Sequence, residues 1–380
     1  MMTSQQSYQP WHLKYRPQNL SELVGQPLIV RTLTNELKTG NLPNVFLFDG
    51  PRGTGKTSTA RILAKSLNCL SSSQPTLTPC GICLSCRSIC SGSNLDVREL
   101  DAASNNGVDD IRELINYSKL STTNRYRIIY LDECQMLSRS AQNAALKLFE
   151  DRLPNTIFIL ATTESEKLLD TIISRCQHFQ FSRLSTQDII ERLSQITLNE
   201  KISANPEALR LIAQHSQGGM RDSVQLLEQL AMSTNGKIEP HHVRDVIGSI
   251  PTDSLVDLCV SIFQDTPQRL HNLMALSNQL NDEGVEPVHL VRELLAIHRD
   301  LLVFQLSQDT NSLTQGKVPF ASLIDLSSIE SLSQLVSIPE IHHRLLILEA
   351  AALSVQQSSN PLIGLEICLL QLAYLSLGKE

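Results

Sequence analysis

The chain has 380 residues, 41% of them hydrophobic and 19% charged, enough for more than one packed core. Its formal charge of -7 excludes an overall cationic field that would hold nucleic acid non-specifically, so any DNA contact must be a local patch. No uninterrupted apolar stretch reaches the roughly 20 residues of a membrane-spanning helix, and the polar opening, residues 1–10, lacks the sections of a secretory signal; no membrane contact and a cytoplasmic location are expected.

In chain order, the first clear element is the apolar run Val45-Phe46-Leu47-Phe48, a buried strand that stops at Gly50-Pro51. Gly50, Pro51, Arg52, Gly53, Thr54, Gly55, Lys56 and Thr57 fit G-x-x-x-x-G-K-[ST] at every specified position, and helical spacing follows from Lys56 to Leu67. In this strand, loop and helix, the glycines let backbone N–H groups turn toward phosphate oxygens at the positive end of the helix. Lys56 is placed to neutralise the terminal phosphates and Thr57 to offer its hydroxyl to magnesium, with Gly50, Gly53, Thr54, Gly55 and Ser58 completing the cradle. A chance glycine-rich turn is the bland alternative.

The next segment, Leu70 to Gly92, is rich in Ser, Pro and Cys and too poor in apolar residues to pack a core. Of nine cysteines in the chain, five lie between Cys69 and Cys90. Cys80, Cys83, Cys86 and Cys90 read C-x2-C-x2-C-x3-C, with Cys69 a short loop upstream. In a reducing compartment such clustering indicates metal ligation more than disulfides, and the spacing suits either tetrahedral zinc or an iron–sulfur cluster.

A second buried strand, Arg127 to Leu131, ends at Asp132-Glu133, the place where an open α/β sheet exposes its working groups. Asp132 is expected to support hydrated magnesium and Glu133 to orient and polarise the attacking water. A third run, Thr156 to Ala161, leaves Thr162 beside those acids, where its hydroxyl is a candidate sensor of the terminal phosphate; a threonine ending a strand is more often structural. After Phe181-Ser182-Arg183-Leu184 only helical spacing remains, with helices expected at 187–198, 207–217, 221–232 and 241–248. Past Ile250-Pro251 the chain is helical by its leucine spacing, with breaks near 282–284, 311–319 and 358–361. That part, from Pro251, carries 6 Lys and Arg against 15 Asp and Glu, so it is a poor holder of a polyanion.

Taken together these residues resemble the gamma/tau family of bacterial DNA polymerase III subunits, the AAA+ ATPases of sliding-clamp loaders. The resemblance is carried by Lys14-Tyr15-Arg16-Pro17, Leu23-Val24-Gly25-Gln26, the phosphate loop, Leu67-Asn68-Cys69, Cys80 to Cys86, Leu100 to Ser104, Ser174-Arg175-Cys176 and Gly219-Met220-Arg221-Asp222. Beyond Arg221 it rests on helical pattern and short stretches such as Val285 to Ile297. It implies an AAA+ P-loop parallel sheet over residues 1–182 with a zinc-binding insert at about 69–92, a helical lid at 183–249, and an all-α collar that drives oligomerisation at 250–380. It also implies zinc on Cys69, Cys80, Cys83 and Cys86, with Cys90 left over. Arg175 matches the family's arginine finger, which acts in trans at the neighbouring subunit's nucleotide, and Arg221 matches a second sensor on the lid. Arg16, Pro17 and Val24 fall where the family lines its adenine pocket. ATP and magnesium are the implied ligands. The implied partners are the delta and delta prime subunits, further copies of the chain, the sliding clamp and primer–template DNA.

The chain departs from the family where members commonly read Asp-Glu-Val-His and it has Asp132-Glu133-Cys134-Gln135, and where Leu-Glu-Glu-Pro-Pro becomes Phe149-Glu150-Asp151-Arg152-Leu153-Pro154. Neither change removes a catalytic group, but both alter the loop path between strands. The function expected is a clamp-loader motor that opens the clamp with ATP and loads it on DNA. The alternatives are a non-hydrolysing ring subunit similar to delta prime, against which Lys56, Thr57, Asp132 and Glu133 all argue, and another AAA+ DNA-processing ATPase, against which the cysteine insert argues.

Overall fold

The computed structural model describes residues 8–375 apart from 152, 249, 265, 267, 309–321, 323 and 325. The expected break at 311–319 and Arg152 therefore lie outside the described residues. Two compact units divide the chain, residues 1–239 and 240–380.

The first unit is built on a five-stranded parallel sheet: β1 (Val45–Asp49), β2 (Val97–Asp101), β3 (Arg127–Asp132), β4 (Thr156–Thr162) and β5 (Gln177–Gln180), in the order β2-β3-β4-β1-β5. Side chains alternate across the strands, so the central strands feed two cores. Phe46, Phe48, Ile128, Tyr130 and Ile159 pack on one face with Ile62, Leu63 and Leu67, whereas Val45, Leu47, Ile129, Leu131, Phe158 and Leu160 pack on the other with Ile111, Leu114 and Leu148. The central strands are buried on both faces, which explains why β1, β3 and β4 read as unbroken apolar runs. β2 and β5 flank the sheet, and their burial is partial: Val97 and Phe179 are their only fully buried side chains. They lack the continuous run, so no apolar pattern marks them in the sequence.

Ahead of β1 lie the short α1 (Trp11–Lys14) and α2 (Pro27–Thr39), the latter opened by Pro27 at its first turn and closed by Gly40 at φ 72°. α3 (Lys56–Asn68) follows the phosphate loop, and α4 (Leu84–Ser91) lies in the cysteine insert. Between strands run α5 (Val108–Ser118), α6 (Arg139–Glu150) and α7 (Asp170–Ile173). The same unit continues with α8 (Thr186–Glu200), α9 (Pro206–His215) and α10 (Met220–Ser233), stitched by a two-residue parallel pair, β6 (Ser203–Ala204) with β7 (Lys237–Ile238). Local capping sets these starts: Ser185 accepts from the Asp188 N–H, and Asn205 caps a helix whose first residue is Pro206.

Among the described residues the second unit is wholly helical: α11 (Pro240–Ile247), α12 (Thr252–Phe263), α13 (Arg269–Asp282), α14 (Pro287–Gln308), α15 (Leu326–Ser333), α16 (Ile338–Gln357) and α17 (Pro361–Tyr374). The ends of α13 and α16 and the start of α17 fall at the expected breaks near 282–284 and 358–361. Its core gathers Leu258, Ile262, Leu294, Ile297, Leu348, Val355 and Leu369. No single helix is long and apolar enough to cross a membrane among the described residues.

One acid in this unit is held at a cost. Burial, and then the charge of Asp300, push the Glu293 carboxyl up to about 7, and its Oε2 has no hydrogen-bond partner. The unfolded chain releases that proton near 4.5, so stability present below that pH is lost as pH rises toward 7. Glu293→Gln removes the penalty and is expected to stabilise the protein at pH 8 by about 1–2 kcal/mol, allowing for solvent screening at a partly exposed group. Thermal unfolding at pH 5 and pH 8 checks this: the variant's gain should be present at pH 8 and absent at pH 5.

Candidate functional site

β1 delivers the chain to a loop whose backbone only glycine adopts without strain. Gly50, Gly53 and Gly55 have φ of 144°, 78° and 111°, and a Cβ on Gly50 would lie 2.2 Å from the Phe181 carbonyl oxygen. The loop feeds directly into α3, so the first amides of the helix face the same space. That space is a cavity of about 390 Å³ lined by Arg52 to Ser58, Asp132 and Glu133, by Arg16, Pro17, Leu23 and Val24, and by Met220, Arg221 and Val224.

Lys56 is 7% exposed and donates from Nζ to the carbonyls of Gly50 at 2.5 Å and Pro51 at 3.0 Å. Burial lowers its pKa, against the opposing pull of Glu133, Asp132 and Asp49. The ammonium is thus held inside the loop without an ion-pair partner of its own, a place that a phosphate would complete. Thr57 Oγ1 donates to Asp132 Oδ2 at 3.2 Å and accepts from the Tyr130 hydroxyl at 3.0 Å. Burial raises the Asp132 carboxyl above its ordinary value. This hydroxyl and carboxylate are hard oxygen donors on the cavity wall, the type that suits magnesium.

Glu133 sits at φ 50° and ψ 43°, a left-handed backbone that a residue with a Cβ adopts only under constraint. Its Oε2 accepts from Gln135 Nε2 at 2.7 Å and from the Thr163 hydroxyl at 3.4 Å. Thr162 is fully buried at the end of β4, does not line the cavity, and donates its hydroxyl to Gln135 Oε1 at 2.8 Å. It reaches the acids through a second side chain. Gln135 was noted in the sequence only as a departure; its role in this network depends on β4 lying beside β3, which no local pattern reveals.

The apolar end of the cavity is closed by the N-terminal segment. His12 Nδ1 and Arg16 Nη1 are buried there without a protein partner, and burial and then Arg221 lower the His12 pKa. This segment is strapped to the lid helices: the Tyr8 hydroxyl and the Trp11 N–H both donate to Glu228 Oε1, and Lys14 and Tyr15 both reach Glu200. The Met220 N–H donates to the Gly53 carbonyl at 3.1 Å, which docks the start of α10, with Arg221, against the phosphate loop. Arg175 lies elsewhere. It is about one-third exposed, pairs with Glu150 at 2.6 Å and donates to the Thr171 carbonyl, and is absent from the wall of its own subunit's cavity.

In the insert, the Sγ atoms of Cys69, Cys80, Cys83 and Cys86 all lie within 4.8 Å of one another, while Cys90 is exposed and outside the group. Backbone N–H groups of Cys80, Cys83 and Cys86 point at the sulfurs of Cys69, Cys80 and Cys83 at 3.3–3.4 Å. The backbone N–H groups of Cys83 and Ile82 pull the Cys80 thiol down to about 6. Four thiols converging on one point with amide donors behind them fit a tetrahedral ion, for which sulfur–sulfur separations of about 3.8 Å follow from the usual zinc–sulfur distance. The spacing left the choice among the five cysteines open; the geometry takes the upstream one and drops the last.

A parallel sheet in which β4 separates the phosphate-loop strand from the acid-bearing strand, with a helical lid docked on the loop, defines an AAA+ P-loop protein. The chain belongs to the gamma/tau family of bacterial DNA polymerase III subunits. It is 36% identical over 294 residues to DNA polymerase III subunit gamma of Buchnera aphidicola, covering 77% of this chain and 78% of that protein. It is 33% identical to subunit tau of Bacillus subtilis over 97% of this chain and 64% of the relative, and 37% identical to subunit tau of Escherichia coli over 79% of this chain and 46% of the relative. The chain thus spans about half to two-thirds of those tau relatives. Family models match in succession: DNA polymerase III, delta subunit, at residues 25–185; clamp loader subunit, ATPase lid domain, at 188–236; and subunits gamma and tau domain III, at 238–379. Among solved structures, the Thermotoga maritima RuvB Holliday junction branch migration motor superposes with a TM-score of 0.46 at 18% identity, over 71% of this chain and 86% of that one.

Proposed function

We propose that the chain is the ATP-hydrolysing motor subunit of a clamp loader, which opens a sliding clamp and loads it on primer–template DNA in the cytoplasm. The observation that carries this is the convergence of Lys56, the Thr57–Asp132 pair and Glu133 on one cavity, a hydrolytic set with no member missing. Residues 1–182 would bind ATP, 183–249 would form the lid, and 250–380 would hold the subunit in a ring with further copies and with delta and delta prime.

Within the site, loop amides and Lys56 would hold the phosphates, Arg16, Pro17 and Val24 would flank the adenine, and Arg221 would report the nucleotide to the lid. Magnesium, held through Thr57 and Asp132, would screen the phosphate charge. Glu133 would polarise the water and orient it for in-line attack, and Arg175 would complete the neighbour's site. A non-hydrolysing role akin to delta prime would not need Lys56, Thr57, Asp132 and Glu133 together, and all four line the cavity. ATPase rate of the assembled loader, with and without primed DNA and clamp, tests the reading: stimulation by both together is expected, and a flat response counts against it.

Zinc on Cys69, Cys80, Cys83 and Cys86 would hold together an insert with little core of its own, as metal binding supplies folding free energy in small domains. Elemental analysis of the purified chain is expected to give about one zinc and no iron per chain. Cys86→Ser should abolish that zinc and expose the insert to proteolysis, while Cys90→Ser should leave both unchanged; equal zinc in all three proteins contradicts the assignment.

A further inference from the structure

We propose that Gln135 is a positioning residue for Glu133, tying the water-polarising carboxylate to the strand that also carries the phosphate loop's first hydrogen bond. The inference rests on the hydrolytic reading above. Its basis is a closed set of contacts. Gln135 uses both ends of its amide: Nε2 donates to Glu133 Oε2 at 2.7 Å and to the Thr163 hydroxyl at 3.1 Å, and Oε1 accepts from the Thr162 hydroxyl at 2.8 Å. Thr162 in turn accepts from the Glu164 N–H at 3.0 Å, and its carbonyl receives the Gly50 N–H at 3.2 Å. A continuous path therefore runs from the first residue of the phosphate loop through Thr162 and Gln135 to the carboxylate.

Local backbone makes this path possible. The left-handed turn at Glu133 and the single 3-10 turn Cys134–Met136 fold the chain back, so that Gln135, two residues on, meets the Glu133 carboxylate. An acid in that conformation has no helix or strand to fix its side chain, and the amide does so instead. The tether engages Oε2 and leaves Oε1 to take the proton-bearing side of a water. Thr162 then acts at a distance, through the amide, which accounts for a hydroxyl buried behind the site and turned from the cavity.

The test is made on the full chain assembled with its partner subunits, clamp and primed DNA. Gln135→Ala is expected to lower turnover by about 10- to 100-fold, the scale of losing orientation at a reacting group, with ATP affinity changed less than about 2-fold. Gln135→Glu keeps size and the acceptor for Thr162 but sets a second carboxylate against Glu133. Its turnover should fall as far as that of Gln135→Ala, with ATP affinity again changed less than about 2-fold. Unchanged or raised turnover in Gln135→Ala or Gln135→Glu, or a loss of turnover matched by an equal loss of ATP affinity, overturns the proposal. Absence of ATPase activity in the wild-type assembly would instead remove the hydrolytic reading beneath it.

Discussion

Lys56→Ala should leave a folded protein that neither holds ATP well nor hydrolyses it. The side chain is buried and hydrogen-bonds only to loop carbonyls, so its removal does not strand a carboxylate partner. What is lost is the single ammonium aimed into the phosphate cradle. A buried charge contact of this type carries about 3–5 kcal/mol, so turnover is expected to fall by about 10³-fold or more. Calorimetric titration with ATP and magnesium, beside steady-state hydrolysis, separates the two losses. Near-normal affinity in the variant would show that the loop amides alone suffice.

Arg175→Ala should give a different signature, because the guanidinium stands outside its own subunit's cavity. ATP affinity is expected to stay within about 2-fold, whereas stimulated hydrolysis of the assembly drops by about 10³-fold, the effect of removing a cation that stabilises transferred phosphate charge. The Arg175–Glu150 pair is largely exposed, and its loss should shift stability by less than about 1 kcal/mol. Mixing experiments decide the geometry: a subunit bearing Arg175→Ala together with an intact site should still hydrolyse when its neighbour supplies the arginine. Failure to recover activity in such mixtures places the arginine's action within one chain.

Much of the site was readable in the sequence because its parts are contiguous. The phosphate loop occupies eight consecutive residues whose glycines have no other economical explanation, and Asp132-Glu133 closes an apolar run that only a central strand produces. Three of the five strands were readable for the same reason. β2 and β5 escaped because partial burial relaxes the apolar pattern, and β6 and β7 are two residues each. The choice of Cys69 over Cys90 and the contacts of Gln135 were beyond local reading. Both depend on which segments the fold brings side by side, and spacing along the chain says nothing of that.

The placement of β4 limits how the parts of this site can move. It is hydrogen-bonded along its length to β1 on one side and β3 on the other, in registers that align Asp49 with Thr162 and Leu131 with Leu160. The cradle and the acid pair are thereby bolted to a common beam, and no stroke can separate them without shearing two ladders. Any travel must come from the parts around that beam: the lid docked on Gly53 through the Met220 N–H, and the N-terminal clasp bonded to Glu228 and Glu200.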